Sequence, residues 1–133
     1  MPDADQHIHA VTYLVRDYDE AIAWFVEKLG FKVASDEPLG GGKRWVIVSA
    51  DEGSNFYLLL AKADGADQVA AIGKAAGGRV AFFLQCRNFR STHQKMSAAG
   101  VNFLEQPRHE AYGIVAVFED FYGNKWDLIE PAR

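Results

Sequence analysis

The sequence predicts an α+β domain assembled from two copies of one unit, each running strand, helix, strand, strand, strand. Three observations predict it. The hydrophobic period switches between the two-residue spacing of strands and the spacing of a helix, in the same order twice. Landmarks recur at a nearly constant separation: Asp17 and Asn88 are 71 residues apart, Gly30 and Gly100 are 70 apart, and the turns at Asp51 and Asp120 are 69 apart. In both of those turns an Asn follows the Gly, as Asn55 and Asn124. Self-similarity at a fixed spacing marks a repeat. Finally, 133 residues with 49% hydrophobic content make one ordinary globular domain. A chain of that size buries roughly two thirds of its unfolded surface without a disulfide or metal staple. Each unit has one helix for its four strands, so one sheet face is covered and the other seeks a partner.

The elements follow in order. Ile8 to Val15 is rich in β-branched and aromatic residues and reads as a strand. Asp17 caps a helix over Tyr18 to Leu29, with Ala21, Ile22, Phe25 and Leu29 at helical spacing. Gly30 ends it in the left-handed region, with Phe31 placed to pack back on the last turn. Phe31 to Ala34 is a short strand, and Pro38 with Gly40-Gly41-Gly42 is a loop. Arg44 to Ala50 and Asn55 to Ala61 form a hairpin across Asp51 to Ser54. Residues 62–78 are a polar, alanine-rich bridge with a short helix near Asp67 to Ala76. The second repeat has a strand at Arg79 to Cys86 and a helix capped by Asn88 or Ser91 that ends near Ala99. Val101 to Leu104 is a strand and Pro107 to Glu110 a loop. Tyr112 to Phe118 and Lys125 to Ile129 are a hairpin across Glu119 to Asn124. The repeats thus span about 8–61 and 79–130 of a single domain, 1–133.

Composition excludes several classes. Lys plus Arg is 14 against 18 for Asp plus Glu, a net charge of -4, and no basic block occurs. Nucleic acid and anionic membrane surfaces both demand clustered cations, so neither is expected as a partner. The lone Cys86 excludes an internal disulfide and a cysteine-rich zinc site, and reads as an inert core residue. The polar N-terminus lacks a signal peptide's apolar segment, and no apolar run approaches the roughly 20 residues that span a bilayer. A cytoplasmic location is the expectation.

Several stretches resemble the vicinal oxygen chelate superfamily, which includes glyoxalase I, the bleomycin and fosfomycin resistance proteins and extradiol dioxygenases. They are Val11 to Asp17, Ala21 to Phe25, Lys28 to Phe31, Met96 to Val101 and Phe118 to Leu128. The resemblance covers nearly the whole chain and both repeats. It implies two βαβββ modules forming a cupped, partly open mixed barrel, and a homodimer. It also implies four positions for the ligands of a divalent metal, two per repeat. The first, seven residues before Asp17, is Ala10, and its counterpart before Asn88 is Ala81. The position four residues after Gly123 is Asp127, and 69 residues earlier stands Leu58. One carboxylate among Ala, Ala and Leu cannot supply the converging donors a transition metal needs. No metal cofactor is therefore expected.

Strand alternation agrees with this placement. His9, Val11, Tyr13 and Val15 share one face of the first strand, and Ala10, Thr12 and Leu14 the other. Phe82, Leu84 and Cys86 share one face of the first strand of the second repeat, and Ala81, Phe83 and Gln85 the other. The bulkier sets suit packing under the helices and the smaller sets a cavity. His7 and His9 form an H-x-H pair on a polar terminus. A one-residue slip of register would swing His9 into the cup, where His9, Asp127 and His109 or Glu105 would compose a metal site.

The stretch Glu105 to Gly113 carries the densest chemistry and sits on a predicted loop, where functional groups collect. Arg108, His109 and Tyr112 are the expected ligand contacts there, the rival reading being a salt-bridged, solvated rim. His109 and Asp127 are the candidates for acid-base work. Among Trp45, Phe83, Phe118 and Trp126, half or more are expected in the core and the rest against a ligand. Asp127 is either the remnant of a metal site or a buried acceptor aimed at a ligand, with Arg44 or Lys125 as its counter-ion. The Gly40–Gly42 run with Lys43 lacks the spacing of a phosphate-binding loop.

The function expected is binding of a small organic molecule in an aromatic-lined cup with a degenerate metal site, through Arg108, His109, Tyr112, Phe83, Asp127, Gln85 and Thr12. Two alternatives stand beside it. One is a metal-dependent enzyme, a glyoxalase-like lyase or an extradiol-dioxygenase-like ring-cleaving enzyme. The other is a protein that sequesters a bleomycin-type antibiotic.

Overall fold

The computed structural model describes residues 5–133. They fall into two compact units, one ending at Val69 and the other Ala70–Arg133. Each follows the βαβββ order, the second with one additional short strand, and together they make the α+β fold the repeat predicts.

In the first unit, β1 (Ala10–Val15) leads into α1 (Tyr18–Leu29). The start of α1 is set by Asp17, whose carboxylate accepts the Glu20 N–H at 2.9 Å. Its end is set by Gly30 at φ 70°. There the Gly30 and Phe31 amides donate to Val26 and Phe25 carbonyls at 3.1 and 3.0 Å, and the Phe31 ring stacks on Phe25. β4 (Tyr57–Lys62) lies parallel to β1, then β3 (Lys43–Ser49) and β2 (Lys32–Gly40) complete a mixed sheet in the order β1-β4-β3-β2. Tyr13, Val15, Val46, Val48, Leu58 and Leu60 are buried with Phe25. Phe25 rests edge-on against the Tyr13 ring.

β2 differs from the reading of the sequence. It continues through Pro38, where a loop was expected, and only Gly41 and Gly42 turn the chain. Proline is tolerated because β2 is an edge strand whose outward amides need no partner. Two register shifts, at Val33/Ser35 and Pro38/Gly40, twist this edge. Arg44 clamps it, binding Asp36 at 2.7 Å and Asp19 of α1 at 2.9 Å and covering the Tyr18 ring. The guanidinium holds the Asp36 carboxyl below its ordinary pKa. A depressed folded-state pKa contributes stability above the unfolded value, and that contribution is lost as pH falls through the folded one. Arg44→Ala is therefore expected to lose at most about 1 kcal/mol at pH 7, because exposed pairs are weak. In urea unfolding the difference from the parent should shrink in acid; a constant difference across pH would show that the clamp is packing and not charge.

The second unit repeats the scheme with α2 (Ala66–Ala71) as the bridge into it, shorter than the helix predicted to reach Ala76. β5 (Val80–Gln85) leads to α3 (Phe89–Ala98), capped by Asn88, whose side chain accepts the Ser91 N–H at 3.0 Å. The sheet order is β5-β9-β8-β6, from β9 (Lys125–Pro131), β8 (Gly113–Glu119) and β6 (Asn102–Phe103). The predicted strand Val101 to Leu104 shrinks to the two residues of β6. The predicted loop contains a short strand, β7 (Arg108–Glu110), on β8. Phe118, Trp126 and Leu128 are buried. Among the described residues no helix is long and apolar enough to cross a membrane.

Candidate functional site

The pairing of β5 with β9 decides which side chains share a face. Phe82 lies beside Trp126 and Phe83 beside Asp127. Phe82 contacts the buried Trp126 ring at 4.6 Å, so Phe83 and Asp127 take the face away from this core. Phe83 is 68% exposed, so it is available to a ligand and is not a core aromatic. Trp45 is likewise exposed, while Phe118 and Trp126 are core, an even division of the four aromatics. Gln85, beside Ile129, is on the same face as Phe83 and exposed. Thr12 occupies the corresponding strand position of the first unit, beside Leu59, and is exposed.

Asp127 stands next to Val117 of β8. Its Oδ1 is buried and has no hydrogen-bond partner among the described residues. Burial pushes its carboxyl above the ordinary carboxylate pKa; nearby Arg108 opposes the shift and Glu105 adds to it. The counter-ions expected from the sequence are not its partners. Arg44 is committed to Asp36 and Asp19 in the first unit, and Oδ1 receives nothing from Lys125.

Around it lies a polar frame. Glu105 accepts the Val117 N–H at 2.9 Å with one oxygen and the Arg108 Nε–H at 2.9 Å with the other. Burial raises the Glu105 pKa, but Arg108 and the Val117 amide outweigh it and hold the carboxyl low. Arg108 also pairs with Glu110 and has the Tyr112 side chain in hydrogen-bond contact, so it stays charged. A shallow concavity of about 320 Å³ opens beside this frame, bounded by Glu105, Val117, Leu104, Val80 and Lys125. Glu105 was absent from the expected ligand contacts. Its spacing of three from Arg108 was the available signal.

His109 separates from this group. Arg108 is paired with Val115 and His109 with Ile114. Successive strand residues point to opposite faces, so Arg108 and Glu110 share the Asp127 face and His109 the other. The reading of this stretch as a loop hid that alternation.

The implied metal does not fit. Ala10 and Ala81 carry no donor atom. Leu58 requires a correction of register: it pairs with Val11 and is buried on the core side, while Leu59, beside Thr12, stands where Asp127 stands beside Phe83. The slip arises in the hairpin: the strand ends Ser49 and Glu119 are 70 apart, but seven residues join β3 to β4 where five join β8 to β9, so the strand starts Tyr57 and Lys125 are 68 apart and a separation of 69 misses by one. Either leucine is carbon, so three of the four positions have no ligand. The His9 alternative also fails. Tyr13 and Val15 are buried against α1 as the original register requires, and the exposed His9 ring lies 4.9 Å from Tyr57. Among the described residues no group of three His, Cys, Asp or Glu side chains is placed to hold a metal ion.

Comparison with known proteins accords with this architecture. The model of the Glyoxalase/Bleomycin resistance protein/Dioxygenase superfamily matches residues 7–128. An uncharacterized protein of Shewanella frigidimarina is 43% identical over 126 residues, 94% of this chain and 93% of that protein. The crystal structure of UcmS2 is similar at a TM-score of 0.81 and 30% identity, over 95% of this chain and 98% of the other. TnmS3, an antibiotic binding protein from Streptomyces sp. CB03234, has the same fold at a TM-score of 0.79 and 24% identity, over 98% of this chain and 100% of its own. With both repeats matched end to end, the chain belongs to the glyoxalase/bleomycin resistance protein/dioxygenase superfamily.

Proposed function

We propose that this protein binds a small organic molecule without a metal, on the face of the second unit that carries Phe83 and Asp127. The observation that carries the reading is Asp127 Oδ1, buried and unpartnered. A buried carboxylate oxygen without a donor is costly, and a ligand N–H or O–H supplies the missing partner. Exposed Phe83 beside it offers a ring for stacking. Arg108, fixed by Glu105 and Glu110, presents a rigid cation at the rim. Such a site has one acceptor, one apolar plate and one cation, enough to orient a molecule of modest size. The carboxylate that acts on Asp127, Glu105, is engaged by Arg108 and the Val117 amide, and His109 lies on the other face, which favours binding over the lyase and ring-cleavage alternatives.

The test is a thermal-shift screen of small aromatic and heterocyclic compounds, followed by calorimetry of the hits. Antibiotics belong in the panel because TnmS3, of the same fold, is an antibiotic binding protein. A hit is expected to bind about tenfold more weakly to Phe83→Ala, the loss of one stacking contact. Hits whose affinity ignores both Phe83→Ala and Asp127→Asn would place the ligand elsewhere. Tight, stoichiometric uptake of zinc, nickel, manganese or ferrous iron would overturn the metal-free reading.

A further inference from the structure

We propose that Glu105 is a positioning residue for the second unit: it holds the Arg108 guanidinium back from Asp127, so that the buried carboxylate oxygen stays open to a ligand. This rests on the binding role proposed above for Asp127 and adds the device that keeps the carboxylate unpaired.

Strand pairing sets the arrangement. Arg108 is paired with Val115 and Asp127 with Val117, both on β8. Val115 and Val117 are two residues apart, so all four side chains share one face of the sheet. The Val117 backbone turns its polar groups away from β9: its N–H donates to Glu105 Oε2 at 2.9 Å and its carbonyl accepts the Leu104 N–H at 2.8 Å. Val117 and Asp127 are therefore a non-hydrogen-bonded pair, the kind whose Cα atoms approach to about 4.5 Å. Glu105 stands on one side of Val117 and Asp127 on the other. The second Glu105 oxygen, Oε1, accepts the Arg108 Nε–H at 2.9 Å. The guanidinium is thus drawn to the outer edge of β8, at the level of Val117, with only that strand between it and Asp127.

The partners are unequally shared. Arg108 has two carboxylates, Glu105 and Glu110, and the Tyr112 side chain. Asp127 Oδ1 has no partner among the described residues. A buried, unpaired carboxylate is costly, and an uncommitted arginine one strand away would relieve it. The field of Arg108 already reaches Asp127 and opposes the effect of burial there. What withholds contact is the grip of Glu105, itself fixed by the Val117 amide. The other neighbours of Asp127 offer no substitute. Phe83 and Gln85 on β5 and Val117 on β8 carry no charge. Lys125, on the same face of β9, is exposed and gives Oδ1 nothing. Pairing of Arg108 with Asp127 would take the acceptor that a ligand needs, so a carboxylate at position 105 keeps the site open and an amide there closes it.

Carbon-detected NMR of the Asp127 carboxyl, assigned by Asp127→Asn, reads its titration midpoint in the free protein. In Glu105→Gln the amide oxygen still accepts the Val117 N–H, while the amino group meets the Arg108 Nε–H, donor against donor, and releases it. The Asp127 midpoint is expected to fall by about one pH unit or more, the effect of an opposite charge brought within a few ångströms. Loss of the Glu105 charge lowers the midpoint too, so the same substitution is made in Arg108→Gln, where the fall should be about half as large or less. Glu110→Gln frees Nη1 alone and is expected to give a smaller fall with the same dependence on Arg108. An equal fall with and without Arg108 would mean that only charge was lost, and no fall in either variant would mean that Arg108 has no path to Asp127; both overturn the proposal. The titration needs no ligand, so it fails separately from the binding reading. A positive titration beside a compound screen without hits would remove the ligand and keep the Arg108 contact, and hits beside a titration indifferent to Arg108 would do the reverse.

Discussion

Asp120→Ala is expected to lower the stability of the protein by about 3 kcal/mol or more, the largest loss from any single polar side chain in the second unit. The carboxylate is 5% exposed and organises the β8–β9 turn. One oxygen accepts the Tyr122 and Asn124 amides, each at 3.0 Å. The other accepts the Trp126 indole N–H at 2.8 Å and the Asn124 side-chain amide at 3.2 Å. Asn124 in turn accepts the Ala75 N–H at 3.0 Å, tying the end of the bridge to the turn. Alanine leaves these donors without an acceptor in a place water does not reach, and each orphan costs about 1–3 kcal/mol. Asp120→Asn is the discriminating companion. Its amide oxygen can keep the two backbone donors, but its amino group then meets the Trp126 N–H, donor against donor. An intermediate loss is expected from it. Urea unfolding of the three proteins reads this directly, and the alanine variant should melt on the order of 10 °C lower. A loss below about 1 kcal/mol for alanine would mean that the turn is held by its backbone and that the carboxylate is incidental.

The same turn shows what was legible in the sequence. Asp120 and Asn124 were visible as landmarks of a repeat, because their spacing from Asp51 and Asn55 is a property of the sequence. Their burial was not visible. Asn55 is exposed and Asn124 is buried, so identical letters in the two turns do different things. Helix α1 was read to the residue because its signals are local: the Asp17 cap and the Gly30 stop act within one turn of the chain they delimit. β7 and the continuation of β2 through Pro38 were missed because both exist only by pairing with β3 or β8, and nothing within those segments announces a partner. That one omission carried into the site. Read as a loop, Arg108, His109 and Tyr112 formed a single group; as a strand, His109 turns away and Glu105 takes its place as the carboxylate that steadies Arg108. The donor positions depended on a count through a hairpin across which the separation of the repeats falls from 70 to 68, so counting 69 gave Leu58 where the true counterpart of Asp127 is Leu59.

That counterpart supplies the second large prediction. Asp127→Leu is expected to stabilise the free protein by about 1 kcal/mol at pH 7 while abolishing ligand binding at the second unit. Leucine already occupies the equivalent strand position in the first unit, as Leu59, so the fold accepts it. The gain has a definite pH dependence. Burial holds the folded Asp127 carboxyl above its ordinary pKa, so a proton is retained in the folded state after the unfolded chain has released its own. Below the unfolded value, near about 3.9, both states are protonated and the group costs nothing. As pH rises through that value the unfolded chain ionises first, stability falls, and the fall ends only when the folded carboxyl has ionised too. Urea unfolding of parent and Asp127→Leu should therefore nearly coincide at pH 3 and diverge toward pH 7, with the variant the more stable. Ligand affinity should move the opposite way: the isosteric Asp127→Asn, which keeps the shape and loses the charge, is expected to bind about 10- to 100-fold more weakly, the worth of one charge-assisted hydrogen bond. A group kept for packing would lose stability and affinity together when replaced. A carboxylate that weakens the fold and strengthens the complex is held in place by what it binds, and opposite signs in these two measurements are the signature of that role.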